Sequence, residues 1–170
     1  MEYKKRKQGK VSWTTADTTK VALVAGVYVA ITVCLSVISF GAVQVRLSEM
    51  FNYLSLYNKK YIFAVTLGVA MANVFSPLGI IDVVIGSMCT LIVLTVNYYI
   101  TKNIKNLKLK MVVTALLFSF SMFTVAGQLT FFYKVPFFVN WLIIAVGELI
   151  SMTIGGIIIY WIGKKIDLTK

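Results

Sequence analysis

Gln44-Val45-Arg46-Leu47-Ser48-Glu49-Met50-Phe51-Asn52-Tyr53-Leu54-Ser55-Leu56-Tyr57 is the stretch on which the fold turns. On both sides of it the chain is apolar. No acidic or basic residue occurs over 21–45, 61–81 or 111–133, and over 135–163 Glu148 stands alone. Uncharged runs of that length are membrane spans. Composition agrees: of 170 residues, 59% are hydrophobic and 14% charged, with mean hydropathy +0.84, whereas a soluble domain carries about 25% charged residues. The expectation is an all-α, multi-pass membrane protein.

Five spans follow from the runs, at 21–40, 61–76, 80–100, 111–132 and 137–162. Pro77 and Gly79 break the second from the third, a lysine-rich linker over 101–110 separates the third from the fourth, and Lys134 with Pro136 marks the last turn. Hydropathy alone would leave 44–57 outside the membrane, because Arg46, Glu49 and Asn52 interrupt it. Charge balance says otherwise. If 44–57 crosses, every one of the 17 basic residues except Arg46 and Lys134 falls on one side. If it does not, the 101–110 linker lies opposite the basic N-terminus, against the tendency of Lys and Arg to stay cytoplasmic. The expected architecture is therefore a six-transmembrane-helix bundle with both termini cytoplasmic, comprising a basic tail (1–17) and a membrane domain (18–170). The basic tail imitates a signal peptide, but 21–40 is too long for one and further spans follow. As an α-helix, 44–57 would reach ~21–24 Å, short of a ~30 Å hydrocarbon core. It would cross only if its polar end opened into a water-filled cavity on the outer side.

Several activities are excluded. There is no histidine to act as a base or ligate a metal, and Cys34 and Cys89 lack metal-ligand spacing. No P-loop motif is present, so this chain does not bind ATP in that way. No metal, cofactor or enzymatic activity is expected. The net charge of +11 belongs to the membrane surface rather than to nucleic acid.

The six-span topology assigns depths. Arg46, Glu49, Asn73, Asp82 and Gln128 fall near the outer ends of their helices, Asn140 lies shallow, and Glu148 sits about three turns in. Ionisable groups inside a membrane are costly and face a cavity or a partner. With Arg46 against three carboxylates, an outward-open pocket would be net acidic and would suit a ligand that is cationic or rich in N–H donors. A carboxylate accepts two N–H bonds side by side, as the edge of a guanine-like base offers. Phe51, Tyr53, Phe75, Phe131, Phe132 and Tyr133 are candidates to stack on a planar ring. Each polar residue also has a plainer reading. Arg46 and Glu49 are spaced to pair with each other, and Asp82 can cap its helix. Asn73 and Gln128 can bond between helices, the preferred reading for Gln128. Glu148, alone and deep, is the hardest to explain structurally. On the first helix Ala22, Gly26 and Ala30 recur every four residues, a small-residue stripe that serves packing within the bundle or docking onto another membrane subunit.

Three stretches resemble a known family. The run from Thr19 to Tyr28, TKVALVAGVY, is similar to the opening of substrate-binding S components of energy-coupling-factor (ECF) transporters. Gln44-Val45-Arg46-Leu47-Ser48-Glu49 resembles a Q-x-R-x-S-E motif. The run from Ser76 to Ser87, SPLGIIDVVIGS, resembles S-P-L-G-x-x-D-x-x-x-G-S, with Asn73 before it and Thr90 after it. In that order and spacing they point to the QueT family of queuosine-precursor S components, over about 19–165. Val45 stands where an aromatic is expected, and Met50 where a small residue is.

The resemblance implies a six-helix subunit of a bacterial cell membrane. Such a subunit binds its substrate near the outer face and works with a transmembrane coupling subunit and two ATPases. It implies a 7-deazaguanine ligand, such as the aminomethyl precursor or queuine, held by Arg46, Glu49, Asn73, Asp82 and Glu148. Ala22, Gly26 and Ala30 would form the docking face for the coupling subunit. Competing expectations are an S component for riboflavin, thiamine or another vitamin, a solitary proton-coupled secondary transporter using Glu148, and a non-transporting membrane scaffold or enzyme.

Overall fold

The computed structural model describes residues 13–169. The basic residues Lys4, Lys5, Arg6, Lys7 and Lys10 of the expected tail lie outside them. All regular structure among the described residues is helical. The α-helices are α1 (Thr15–Cys34), α2 (Ser36–Ser39), α3 (Lys60–Ala72), α4 (Ile80–Thr101), α5 (Leu107–Ser121), α6 (Phe123–Tyr133) and α7 (Phe137–Lys165). Two 3-10 helices, Leu47–Leu56 and Asn73–Phe75, complete the set. Among the described residues four helical stretches are long and apolar enough to cross a membrane: Thr15–Cys34, Ile80–Thr101, Leu107–Tyr133 (α5 and α6 together) and Phe137–Lys165.

Local chemistry sets the boundaries. α1 begins before the uncharged run because Thr14 and Asp17 form a capping box: the Thr14 hydroxyl accepts from the Asp17 amide, and the Asp17 carboxylate accepts from the Thr14 amide. Asn106 caps α5 by accepting from the amides of Lys108 and Leu109. Gly79, at φ +54°, makes the left-handed turn into α4 after Pro77. The expected span over 111–132 is broken at Met122, where the Ser121 hydroxyl bonds back to the Phe118 carbonyl and the Thr124 hydroxyl to that of Ser121.

Cross-contacts give the directions. Lys60 at the start of α3 pairs with Asp17 at the start of α1 (2.5 Å). Farther along both helices, Tyr28 packs on Gly68. α1 and α3 are therefore parallel, and the chain between them must return along the bundle. It does so through Leu47–Leu56, which runs against α1 (Tyr28 to Glu49, Thr32 to Ser48). The same segment runs parallel to α7, where Val43 meets Gly147, Met50 meets Gly155 and Tyr57 meets Gly163.

The stretch that hydropathy left ambiguous is thus the centre of the molecule. Every residue from Ser48 to Ser55 is buried, packed among α1, α3, α4, α5 and α7. The sequence expectation of an α-helix is corrected: the winding is 3-10, over ten residues, an unusually long run of a geometry normally used in short pieces. Measured against Gly147–Gly163 on α7, the chain from Val43 to Tyr57 covers ~24 Å. An α-helix of that length would reach ~21 Å, whereas 3-10 winding rises ~2.0 Å per residue. Glycines on α7 permit the approach: a Cβ at Gly147 would strike the Val43 carbonyl oxygen, and one at Gly155 the Met50 side chain. Gly155 leaves room for the Met50 side chain.

Candidate substrate-binding cavity

At the end of the bundle away from the lysine-rich linker, a cavity of about 380 Å³ runs inward from the chain around Gly41 and Pro77 to Glu49 and Glu148. All five polar residues singled out from the sequence line it: Arg46, Glu49, Asn73, Asp82 and Glu148. Four different elements deliver them. Arg46 and Glu49 enter at the head of the central 3-10 helix, Asn73 at the end of α3, Asp82 in the first turn of α4, and Glu148 from the middle of α7.

Their states differ. Glu49 is fully engaged: Oε1 accepts from the Tyr28 hydroxyl (2.6 Å) and lies 3.7 Å from Arg46 Nη1, while Oε2 accepts from Asn52 Nδ2 (2.5 Å). Arg46 is held in turn. Its Nη1 donates to Asn73 Oδ1 (3.4 Å), its amide donates to the Ser151 hydroxyl (2.9 Å), and its guanidinium lies 5.1 Å from the Phe40 ring centre. Asp82 closes the turn before α4: its carboxylate accepts from the Ser76 hydroxyl, and its carbonyl accepts from Asn73 Nδ2 (2.9 Å). Glu148 is only 2% exposed, yet its Oε1 has no partner. A buried carboxylate oxygen without a donor is expensive, and this one lines the cavity. Among the three carboxylates of the cavity, it is the one whose acceptor is left open.

The Arg46–Glu49 pairing expected from spacing is therefore real, but Glu49 is bound more closely by Tyr28 and Asn52, two residues that sequence reasoning did not select. The signal of Tyr28 was a hydroxyl on an otherwise apolar helix, and that of Asn52 an amide three residues after Glu49; in a membrane each must find a partner. Two others were placed differently. Gln128 is not spent on interhelical bonding through its oxygen: Oε1 is buried and unpartnered, and the residue lines the cavity, as does Asn140, whose Nδ2 is also unpartnered. Of the six aromatics named as stacking candidates, Tyr133 lines the cavity. Phe51 and Tyr53 are core, and Phe75, Phe131 and Phe132 point outward. Phe40 and Phe118 supply aromatic wall instead. Among the described residues no group of three or more His, Cys, Asp or Glu gathers to hold a metal.

Residues 18–165 match the QueT transporter family. The chain belongs to that family. A protein of Lactococcus lactis subsp. cremoris (strain MG1363), named queuosine precursor transporter QueT, is 38% identical over 165 residues, covering 92% of this chain and 97% of that protein. No solved structure matches. The QueT match spans all five cavity residues and the small-residue stripe of α1. In this QueT member the stripe takes no part in internal packing: Ala22, Gly26 and Ala30 are exposed, and a Cβ at Gly26 would meet nothing within 4 Å. The same turns of α1 send Ala25 and Tyr28 into the core.

Proposed function

We propose that this chain is the substrate-binding S component of an ECF-type importer for a queuosine precursor of the 7-deazaguanine class. The observation that carries the reading is the free Oε1 of Glu148, buried in an apolar-walled cavity beside Arg46. A deazaguanine edge presents adjacent N–H groups, which a carboxylate accepts together, while the nearby guanidinium suits the ring carbonyl. Membership of the QueT family and the name of the Lactococcus relative support the substrate class. Glu49 and Asp82, already engaged, act by holding Arg46 and the turn before α4, and Asn73 ties the two together.

The same reading has the chain cross the membrane six times. In support, α1 and α3 are parallel, and Lys59, Lys60, Lys102, Lys105, Lys108, Lys110, Lys164 and Lys165 gather at one end of the bundle, with Arg46 and Lys134 at the other. The basic end is cytoplasmic by the positive-inside rule, so the cavity opens outward. The outward stripe of Ala22, Gly26 and Ala30 is a surface on which a transmembrane coupling subunit can approach closely, with ATP hydrolysed by two partner ATPases.

The test is ligand identity. The purified chain in mild detergent is titrated with aminomethyl-deazaguanine, cyano-deazaguanine, queuine, guanine and riboflavin, with native mass spectrometry as readout. A deazaguanine should saturate, and Glu148→Gln should weaken it by about ten- to a hundredfold, the loss of a charged hydrogen bond. Riboflavin binding in its place would reassign the substrate. Uptake by liposomes holding this chain alone under a pH gradient, without ATP, would replace the S-component reading with a secondary transporter.

A further inference from the structure

Two of the unpartnered polar atoms in the cavity belong to residues other than the five discussed above. Gln128 and Asn140 lie on either side of the turn joining α6 and α7, Gln128 a little over one turn before α6 ends and Asn140 one turn after α7 begins. Both line the cavity. Gln128 is 7% exposed and its Oε1 is buried without a hydrogen bond; the Nδ2 of Asn140 is likewise buried and unpartnered. Along α7, Asn140 and Glu148 are separated by ~12 Å, so this pair lies near the mouth while Glu148 lies deep. A purine-sized ring seated on Glu148 spans only part of that distance.

We propose that Gln128 and Asn140 form a second subsite, for a hydroxyl-bearing substituent that projects from the ligand's ring toward the mouth. The inference rests on the reading of the cavity as a deazaguanine site. The two buried, unpartnered atoms are one acceptor, Gln128 Oε1, and one donor, Asn140 Nδ2. A hydroxyl group both donates and accepts, so it satisfies both; an ammonium can only donate and a nitrile can only accept. Turning both amides over exchanges the roles and leaves the pair complementary to a hydroxyl. Buried polar atoms left without partners are rare, and two of them on residues that line one cavity mark where a ligand's polar group belongs.

The experiment compares queuine, whose substituent is a diol, with unsubstituted 7-deazaguanine. Both are titrated into the wild-type chain and into Gln128→Met, Asn140→Leu and Glu148→Gln. Wild type should prefer queuine. The two mouth variants should weaken queuine by about fivefold or more, the loss of a neutral hydrogen bond, and leave 7-deazaguanine within twofold. Glu148→Gln should weaken both ligands. Equal loss of both ligands in the mouth variants, or loss of neither, overturns the subsite while the deep site stands. Failure of wild type to bind any deazaguanine overturns the parent reading and the subsite with it. Gln128→Ala and Asn140→Ala provide the same comparison if either larger side chain lowers the melting temperature of the ligand-free protein.

Discussion

At the scale of single residues, the three carboxylates of the cavity are not equivalent, and the difference is measurable. Glu49 is anchored by Tyr28, Asn52 and Arg46, so it belongs as much to the core as to the site. Tyr28→Phe removes the 2.6 Å donor to Oε1 from a fully buried position. It should destabilise the protein by roughly 1–3 kcal/mol, the cost of leaving a buried acceptor short of a partner, read as a lower melting temperature in detergent. Glu148→Gln should show the opposite pattern, with little change in ligand-free stability and a large loss of affinity, because the Oε1 it alters bonds to nothing in the protein. A mutant pair with the two effects exchanged would reverse the assignment of anchor and acceptor. Sequence made the acids legible, since an ionisable group in an uncharged run has to face inward. It could not tell the anchored acid from the free one, because the anchors, Tyr28 and Asn52, are ordinary residue types whose partners lie on other elements. Gln128 and Asn140 were obscure for a related reason: an amide that binds a ligand and one that bridges two helices look the same in a sequence.

At the scale of elements, the central 3-10 helix is held in place by what α7 lacks. Gly147, Gly155 and Gly163 remove the side chains that would stand between α7 and the chain from Val43 to Tyr57. A Gly155→Leu substitution drives a side chain into Met50. It should cost at least about 1–3 kcal/mol of overpacking and, by displacing Glu49 and Arg46 on the same helix, abolish ligand binding. Gly26→Leu on α1 should leave both stability and binding by the isolated chain near wild type, since that position is open. Its proposed effect is on association, read as loss of co-purification with the coupling subunit. If Gly26→Leu co-purified normally, the stripe would have no docking role. The long helices were legible from their uncharged runs, and α4 runs within a residue of its expected end. The winding of Leu47–Leu56 was not. The polar residues Arg46, Glu49, Asn52 and Ser55 recur every three residues, the period of a 3-10 helix, but over so short a segment a step of three also fits one face of an α-helix. The Gly147-x-x-x-Ser151-x-x-x-Gly155 spacing on α7 was the available clue to what packs there.

At the scale of the whole molecule, the sidedness of the bundle follows from a single question: whether the segment between α1 and α3 crosses. Composition ruled out a soluble fold at once, but the crossing had to be argued from charge, and the contacts now bear on it independently through the parallel run of α1 and α3. The two topologies predict opposite labelling. In a background with Cys34→Ser and Cys89→Ser, single cysteines are placed at Lys105, in the α4–α5 linker, and at Lys134, in the α6–α7 turn. With six crossings and a cytoplasmic N-terminus, an impermeant maleimide added to intact cells should label Lys134→Cys and reach Lys105→Cys only after lysis. If the segment stayed on one side, every later loop would change sides, and Lys105→Cys would be labelled from outside while Lys134→Cys was protected. The cavity would then open to the cytoplasm, its acids on the same side as ATP, and uptake from outside through this site would be untenable. The labelling pattern therefore decides more than topology. Adding a saturating deazaguanine to a second background that keeps Cys89, a cavity-lining residue, should slow its modification from outside. That protection requires the mouth and the substrate to be on the outer side together.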